Sequence, residues 1–134
     1  MTGFEEIEHT ADRAFRARGR DLAELLENAA QAMAALDQPG SGEEPLITRE
    51  VEVSGVDRET LLVNWLNEIL YLEQTRGEVY DRFRVLEADD HHLSAQLDGK
   101  KSSSRVSHIK AATFHNLEIR QSLEGLEATV VVDV

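Results

Sequence analysis

Cysteine is absent from all 134 residues, which removes disulfide frameworks, thiolate zinc sites and cysteine nucleophiles together. The absence fits a reducing cytosol. Positive charge is scarce as well: 14 basic residues face 26 acidic ones, a formal charge of −12. Such a chain is repelled by phosphate backbones, so wrapping duplex nucleic acid unaided is not expected of it. Cations or a basic protein surface are better partners, and solubility alone also accounts for the charge. No apolar run approaches the length that spans a bilayer, and Met-Thr-Gly-Phe-Glu-Glu lacks both the basic and the apolar region of a leader. A soluble cytoplasmic protein without membrane contact is expected, with residues 1–134 forming one domain.

Familiar catalytic signatures are missing too. There is no phosphate-cradling glycine loop, no Gly-x-Ser-x-Gly elbow and no His-Glu-x-x-His.

What is present reads as strands and two helices that do not strictly alternate. Asp21, with Glu24 three residues on, opens an amphipathic helix through Leu22, Leu25, Leu26, Ala29, Ala30, Met33 and Leu36. It stops near Asp37, because the stretch 38–45 holds both prolines and two glycines. Ile47, Val51 and Val53 alternate with polar residues as in a half-buried strand that Gly55 ends. Asp57 then caps a second helix whose stripe is Leu61, Leu62, Trp65, Leu66, Ile69 and Leu70.

Further strands are expected around Phe4 to Glu8, Ala14 to Arg18, Phe83 and Val85, Leu93 to Leu97, Ile109 to Phe114, Leu117 and Ile119, and Leu126 to Val134. Glu124-Gly125 is a turn and Lys100 to Arg105 a mobile polar loop. The fold class is α+β: a mixed or antiparallel sheet of about six to eight strands with both helices packed on it.

Three places could carry chemistry. His9-Thr-Ala-Asp12 joins the first two strands, and Asp12 is either a turn former or one of several converging acceptors. Asp133 and Val134 close an apolar run, which puts a side-chain carboxylate beside the terminal one. Carboxylates that converge repel unless a cation neutralises them, and an all-oxygen set favours Ca²⁺ or Mg²⁺. Lys110-Ala-Ala-Thr-Phe-His115 alternates its side chains between two faces. Lys110 is then an edge-strand lysine, a partner for a carboxylate across the sheet or a ligand contact, and His115 a structural donor. His91 and His92 beside Asp89 and Asp90 read as an exposed turn with incidental metal affinity. Asn64, Asn67 and Glu68 interrupt a helix that otherwise explains itself, so they cap neighbouring backbone or line a partner surface.

His9-Thr-Ala-Asp12 with Gly19 and the Leu22 to Ala30 helix, Leu62-Val-Asn-Trp-Leu-Asn-Glu-Ile-Leu-Tyr71, Lys110-Ala-Ala-Thr-Phe-His115 and Val132-Asp-Val134 together resemble the archease family. They occur in the family's order and span nearly the whole chain. The resemblance implies a small α+β accessory protein of RtcB-type RNA ligases, which join RNA ends in tRNA splicing and repair. In that role it promotes guanylylation of the ligase's active-site histidine and restores turnover without being the ligase, meeting RNA only through its partner.

It also implies a divalent cation, Ca²⁺ or else Mg²⁺ or Mn²⁺, held by Asp12, Asp133 and Val134. His9, Lys110 and His115 are left as partner or nucleotide contacts. The chain departs from the family pattern at Arg13 and Ala14, at Ala112 and Phe114, at Val132 and in the Ser-rich loop before Lys110. Two other readings stand: a chaperone-like modulator of another RNA-processing enzyme such as a tRNA methyltransferase, and a stand-alone hydrolase.

Overall fold

A computed structural model describes residues 3–7, 13–37, 46–101 and 109–134. Its elements run β1 (Phe4–Ile7), β2 (Arg13–Gly19), α1 (Leu22–Asp37), β3 (Leu46–Ser54), α2 (Arg58–Arg76), β4 (Glu78–Ala88), β5 (His92–Lys101), β6 (Ala111–Ala112), β7 (Ile119–Ser122) and β8 (Gly125–Asp133). The α+β class is as expected, and every strand pair is antiparallel.

Both helices start where their caps predict. Asp21 Oδ1 accepts from the Glu24 N–H at 2.9 Å and Asp57 Oδ1 from the Thr60 N–H at 2.8 Å, so each carboxylate satisfies one of the first-turn donors that has no partner within the helix. At the far end of α2, Gly77 turns left-handed at φ 64° and its N–H returns to Glu73 O. The turn between β7 and β8 depends on Gly125 at φ 133°, where a Cβ would stand 2.3 Å from Gly19 O.

One expectation needs correction: the eight strands form two sheets. Five make one sheet, in the order β1-β2-β8-β6 with β7 also on β8; the other three are ordered β3-β5-β4. The reason lies in the helices. Leu61, Leu62, Val63, Trp65, Leu66, Ile69, Leu70 and Leu72 are all buried, which covers more than half the circumference of α2 and cannot be masked by one flat layer. Accordingly α1 packs on β2 and β4, and α2 on β3, β4 and β6. One apolar cluster joins all of it.

Two further corrections concern short segments. Regular pairing over Ile109 to Phe114 shrinks to Ala111–Ala112, and Lys100 and Lys101 lie in β5, not in a loop. The remainder of that loop, 102–108, and the Pro- and Gly-rich stretch 38–45 lie outside the described residues.

Side chains from the helices finish the sheet edges. Glu27 accepts from the Val85 N–H at 2.7 Å, and Glu59 from the Ile119 N–H at 3.0 Å. Trp65, fully buried, donates from Nε1 to Leu26 O at 2.9 Å and meets Phe83 edge-on, with ring centres 6.4 Å apart.

A charge network with a buried carboxylate crosses the three-stranded sheet. Glu78 is 2% exposed, and Arg49 donates to it through Nε at 3.0 Å and Nη2 at 2.5 Å while the Tyr80 hydroxyl donates as well. The Arg49 hydrogen bond holds the Glu78 carboxyl below its ordinary value against the opposing effect of burial. Burial, and then the bond to Glu78, pushes the Tyr80 phenol up, so it stays a donor. Because the Glu78 pKa is lowered by folding, its contribution to stability is present above the unfolded carboxyl value and is lost as pH falls through the folded one. In Arg49→Met the largest lowering influence is gone while the Tyr80 hydroxyl and the Arg76 charge still act, so the loss of stability on the acid side should be smaller than in the wild type. Denaturant midpoints taken across acid to neutral pH check this, and parallel profiles for the two proteins would refute it.

Candidate functional site

The two long strands β2 and β8 run side by side, and their register brings remote parts of the chain together. Arg13 pairs with Val132, and Ala14 with Val131. Thus the residue after Asp12 lies opposite the residue before Asp133. On the other edge of β8, Ala111 pairs with Asp133 and Ala112 with Val132, and the Lys110 N–H donates to Asp133 O at 2.7 Å. The Asp133 side chain, Val134 and Lys110 are exposed at this end.

Of the residues singled out in the sequence, the structure therefore groups Lys110, Asp133 and Val134. His9 and Asp12 lie outside the described residues. Lys110 sits one residue before β6, and its side chain makes no ion pair with a described carboxylate; its backbone carries the contact. His115 follows β6 in an exposed turn in which Thr113 donates to Val131 O through both N (3.0 Å) and Oγ1 (2.8 Å), and Asn116 turns left-handed at φ 50°.

Arg13 has a local explanation. Its guanidinium donates to Leu36 O at 3.1 Å, supplying a donor to the last turn of α1, which has no basic residue of its own.

Sequence reasoning left Asn67 open between two roles, and the structure places it. Its Oδ1 accepts from the Ala112 N–H at 2.8 Å and its Nδ2 donates to Ala112 O at 3.2 Å. Asn64 likewise donates to Ser54 O at 2.8 Å. Both asparagines bond neighbouring backbone, one of the two roles the sequence allowed.

The donors available at the tip are oxygens, the set a hard divalent cation takes. Among the described residues no group of three or more His, Cys, Asp or Glu could hold a metal ion. His91 and His92 form the expected turn, with Asp89 Oδ1 accepting from both their N–H groups at 2.8 Å and His92 Nε2 lying 3.1 Å from Glu52.

Depressions of about 560 and 610 Å³ lie at the opposite end of the β2–β8 ladder, around Arg20 and Ser122 to Leu126. The arginines there each have an acidic partner: Arg18 has Glu5 and Glu127, Arg20 has Glu24, and Arg58 lies 3.8 Å from Asp90. Among the described residues no helix is long and apolar enough to cross a membrane.

Comparison with known proteins is consistent along the chain. Residues 4–134 match the model of the archease protein family (MTH1598/TM1083). A protein archease of Methanothermobacter thermautotrophicus is 38% identical over 140 residues, with all of both chains covered. That of Archaeoglobus fulgidus is 40% identical over 136 residues, covering 96% of each. The solution structure of Methanobacterium thermoautotrophicum protein 1598 superposes with a TM-score of 0.77 at 34% identity over the whole of both chains. The crystal structure of an archease from Thermotoga maritima, described as a possible chaperone, gives a TM-score of 0.69 at 25% identity over 97% of this chain and 96% of that one. With a family model spanning almost every residue and relatives matched end to end, the chain belongs to the archease family.

Proposed function

We propose that this protein is a cytoplasmic accessory factor of an RtcB-type RNA ligase, promoting guanylylation of the ligase's histidine and so its multiple turnover. The acting part is an acidic tip in which Asp12, Asp133 and an oxygen of Val134 hold a divalent cation, Ca²⁺ in first place, with Lys110 beside them. The observation that carries this reading is the register of β8: Arg13 opposite Val132 on one side, Lys110 bonded to Asp133 on the other. A bound cation would neutralise the carboxylates and let them stay close.

The protein's own residues do the rest. Lys110 offers a positive charge to a nucleotide phosphate or a carboxylate of the partner, while the surrounding negative charge favours a basic cleft. Activation requires that the tip bind one state of the ligase better than the other.

Multiple-turnover ligation by the cognate ligase tests this. Asp12→Ala is expected to abolish the stimulation; ligation stimulated as well by the variant as by the wild type would end the proposal. The Thermotoga relative's description as a possible chaperone favours a second reading, a modulator of another RNA-processing enzyme such as a tRNA methyltransferase, acting by surface alone. A residue added after Val134 separates the two. The cation reading expects binding and stimulation to fall together, whereas a surface role survives the extension.

A further inference from the structure

We propose that Asn67 is a positioning residue for the Lys110–Asp133 tip, its carboxamide taking the place of a neighbouring strand along the outer edge of β6. This rests on the reading of the tip as the functional site, but its geometry is independent of the partner. β6 is only two residues long and has β8 on one edge alone. A strand that short has little pairing of its own to hold it. Asn67 supplies the missing rung: one donor and one acceptor, side by side, exchanged with the two backbone groups of Ala112. Two hydrogen bonds exchanged by facing residues are what an antiparallel partner strand provides.

The arm that delivers this rung is rigid. Leu66, Ile69 and Leu70 are buried around it, and two turns further along α2 Gln74 donates to Ile109 O at 3.5 Å. The helix thus grips Ile109 and Ala112, with Lys110 between them, while the Lys110 N–H holds Asp133 from the other side. An asparagine in mid-helix is a poor helix former, and this contact is what it supplies in exchange.

Asn67→Asp keeps the shape and changes the chemistry. As a carboxylate it can still accept from the Ala112 N–H, but it turns a second acceptor towards Ala112 O. When protonated it regains a donor and restores the pair. Facing a carbonyl in a half-buried place, that carboxyl titrates above its ordinary range. Arg58, Glu59, Glu68, Glu73 and Arg76 on α2, Lys110 and His115 to either side of β6, and Glu127 and Asp133 on β8 are the other charged or titratable groups on these elements. They are common to both proteins, so the wild type at the same pH is the reference.

Amide hydrogen exchange on the full chain, read by NMR at about pH 5 and about pH 8, decides the matter. Asn67→Asp is expected to lose roughly tenfold or more of the protection at Ala112 and Lys110 at the higher pH and to regain most of it at the lower. Asn67→Ala loses it at both. Wild-type protection in Asn67→Asp at both values, an equal loss at both, or a loss spread evenly over β2 and β8 would each overturn the proposal; the last would make Asn67 a general prop of the fold.

Ca²⁺ titration of the same samples gives the second readout. If the wild type binds, Asn67→Asp should bind roughly 10–100-fold more weakly at the higher pH, and unchanged affinity counts against the proposal. A wild type that does not bind refutes the cation reading alone and leaves the exchange pattern to judge Asn67.

Discussion

Asp133→Ala should lose cation binding and ligase stimulation while melting where the wild type melts. The separation follows from how Asp133 is used. Its backbone carbonyl takes the Lys110 N–H and its position pairs with Ala111, whereas its carboxylate is exposed and makes no hydrogen bond with another described residue. Alanine keeps the backbone role and deletes only the charge. Surface changes of this kind alter stability by about 0.5 kcal/mol or less. If Asp133 is one of three protein donors as proposed, removing its anionic oxygen should cost more than the roughly 10–100-fold of an outer-shell change. Calorimetry with Ca²⁺, Mg²⁺ and Mn²⁺, run beside a thermal melt, reads both quantities. Unaltered affinity in the variant would remove Asp133 from the site, and a large drop in the melting temperature would make the residue structural.

Trp65→Ala should have the opposite profile, a severe loss of stability far from the tip. Trp65 is fully buried between the helices and the three-stranded sheet. Truncating a buried tryptophan leaves a cavity as well as losing transfer energy, together about 3–5 kcal/mol. The edge-on contact with Phe83 and the donor to Leu26 O disappear with it. Against a total of roughly 5–15 kcal/mol for a folded domain this is a large share. Trp65→Phe keeps a ring in the space and gives up mainly the N–H, so about 1–2 kcal/mol is expected. Urea unfolding followed by circular dichroism serves for both, since Trp65 is the chain's only tryptophan and fluorescence vanishes with it. A loss below about 2 kcal/mol for the alanine variant would mean that the core closes over the gap.

Both helices were legible in the chain because their determinants are local. Asp21 and Asp57 act on donors three residues away, and the apolar spacing that marks α2 lies wholly within it. Strand alternation was equally visible in β3 and β5, each of which has one face turned outward. What local pattern does not carry is who pairs with whom. The division into two sheets depends on β5 taking β3 and β4 on its two edges, and the outer edge of β6 meets a side chain 45 residues away. Arg49 and Glu78 stand 29 residues apart and give no sign of each other in the sequence. The tip was legible in part. Asp133 and Lys110 drew attention by type and place, but their shared hydrogen bond is a matter of register. The role of Asn67 had only one trace, a poor helix former where a better one would fit.

The last strand in the chain, β8, is also the hub of the five-stranded sheet, with β2 on one edge and β6 and β7 on the other. During synthesis β2 emerges early with only β1 to pair with, and it must wait for almost the entire remaining chain before Arg13 can meet Val132. Pairings so distant along the sequence close slowly. The first sheet therefore assembles after translation has delivered residues 125–133, while β3, β4 and β5 can meet earlier. A ribosome stalled short of β8 would hold β2 with only β1 to pair with, while β3, β4 and β5 already have their strand partners.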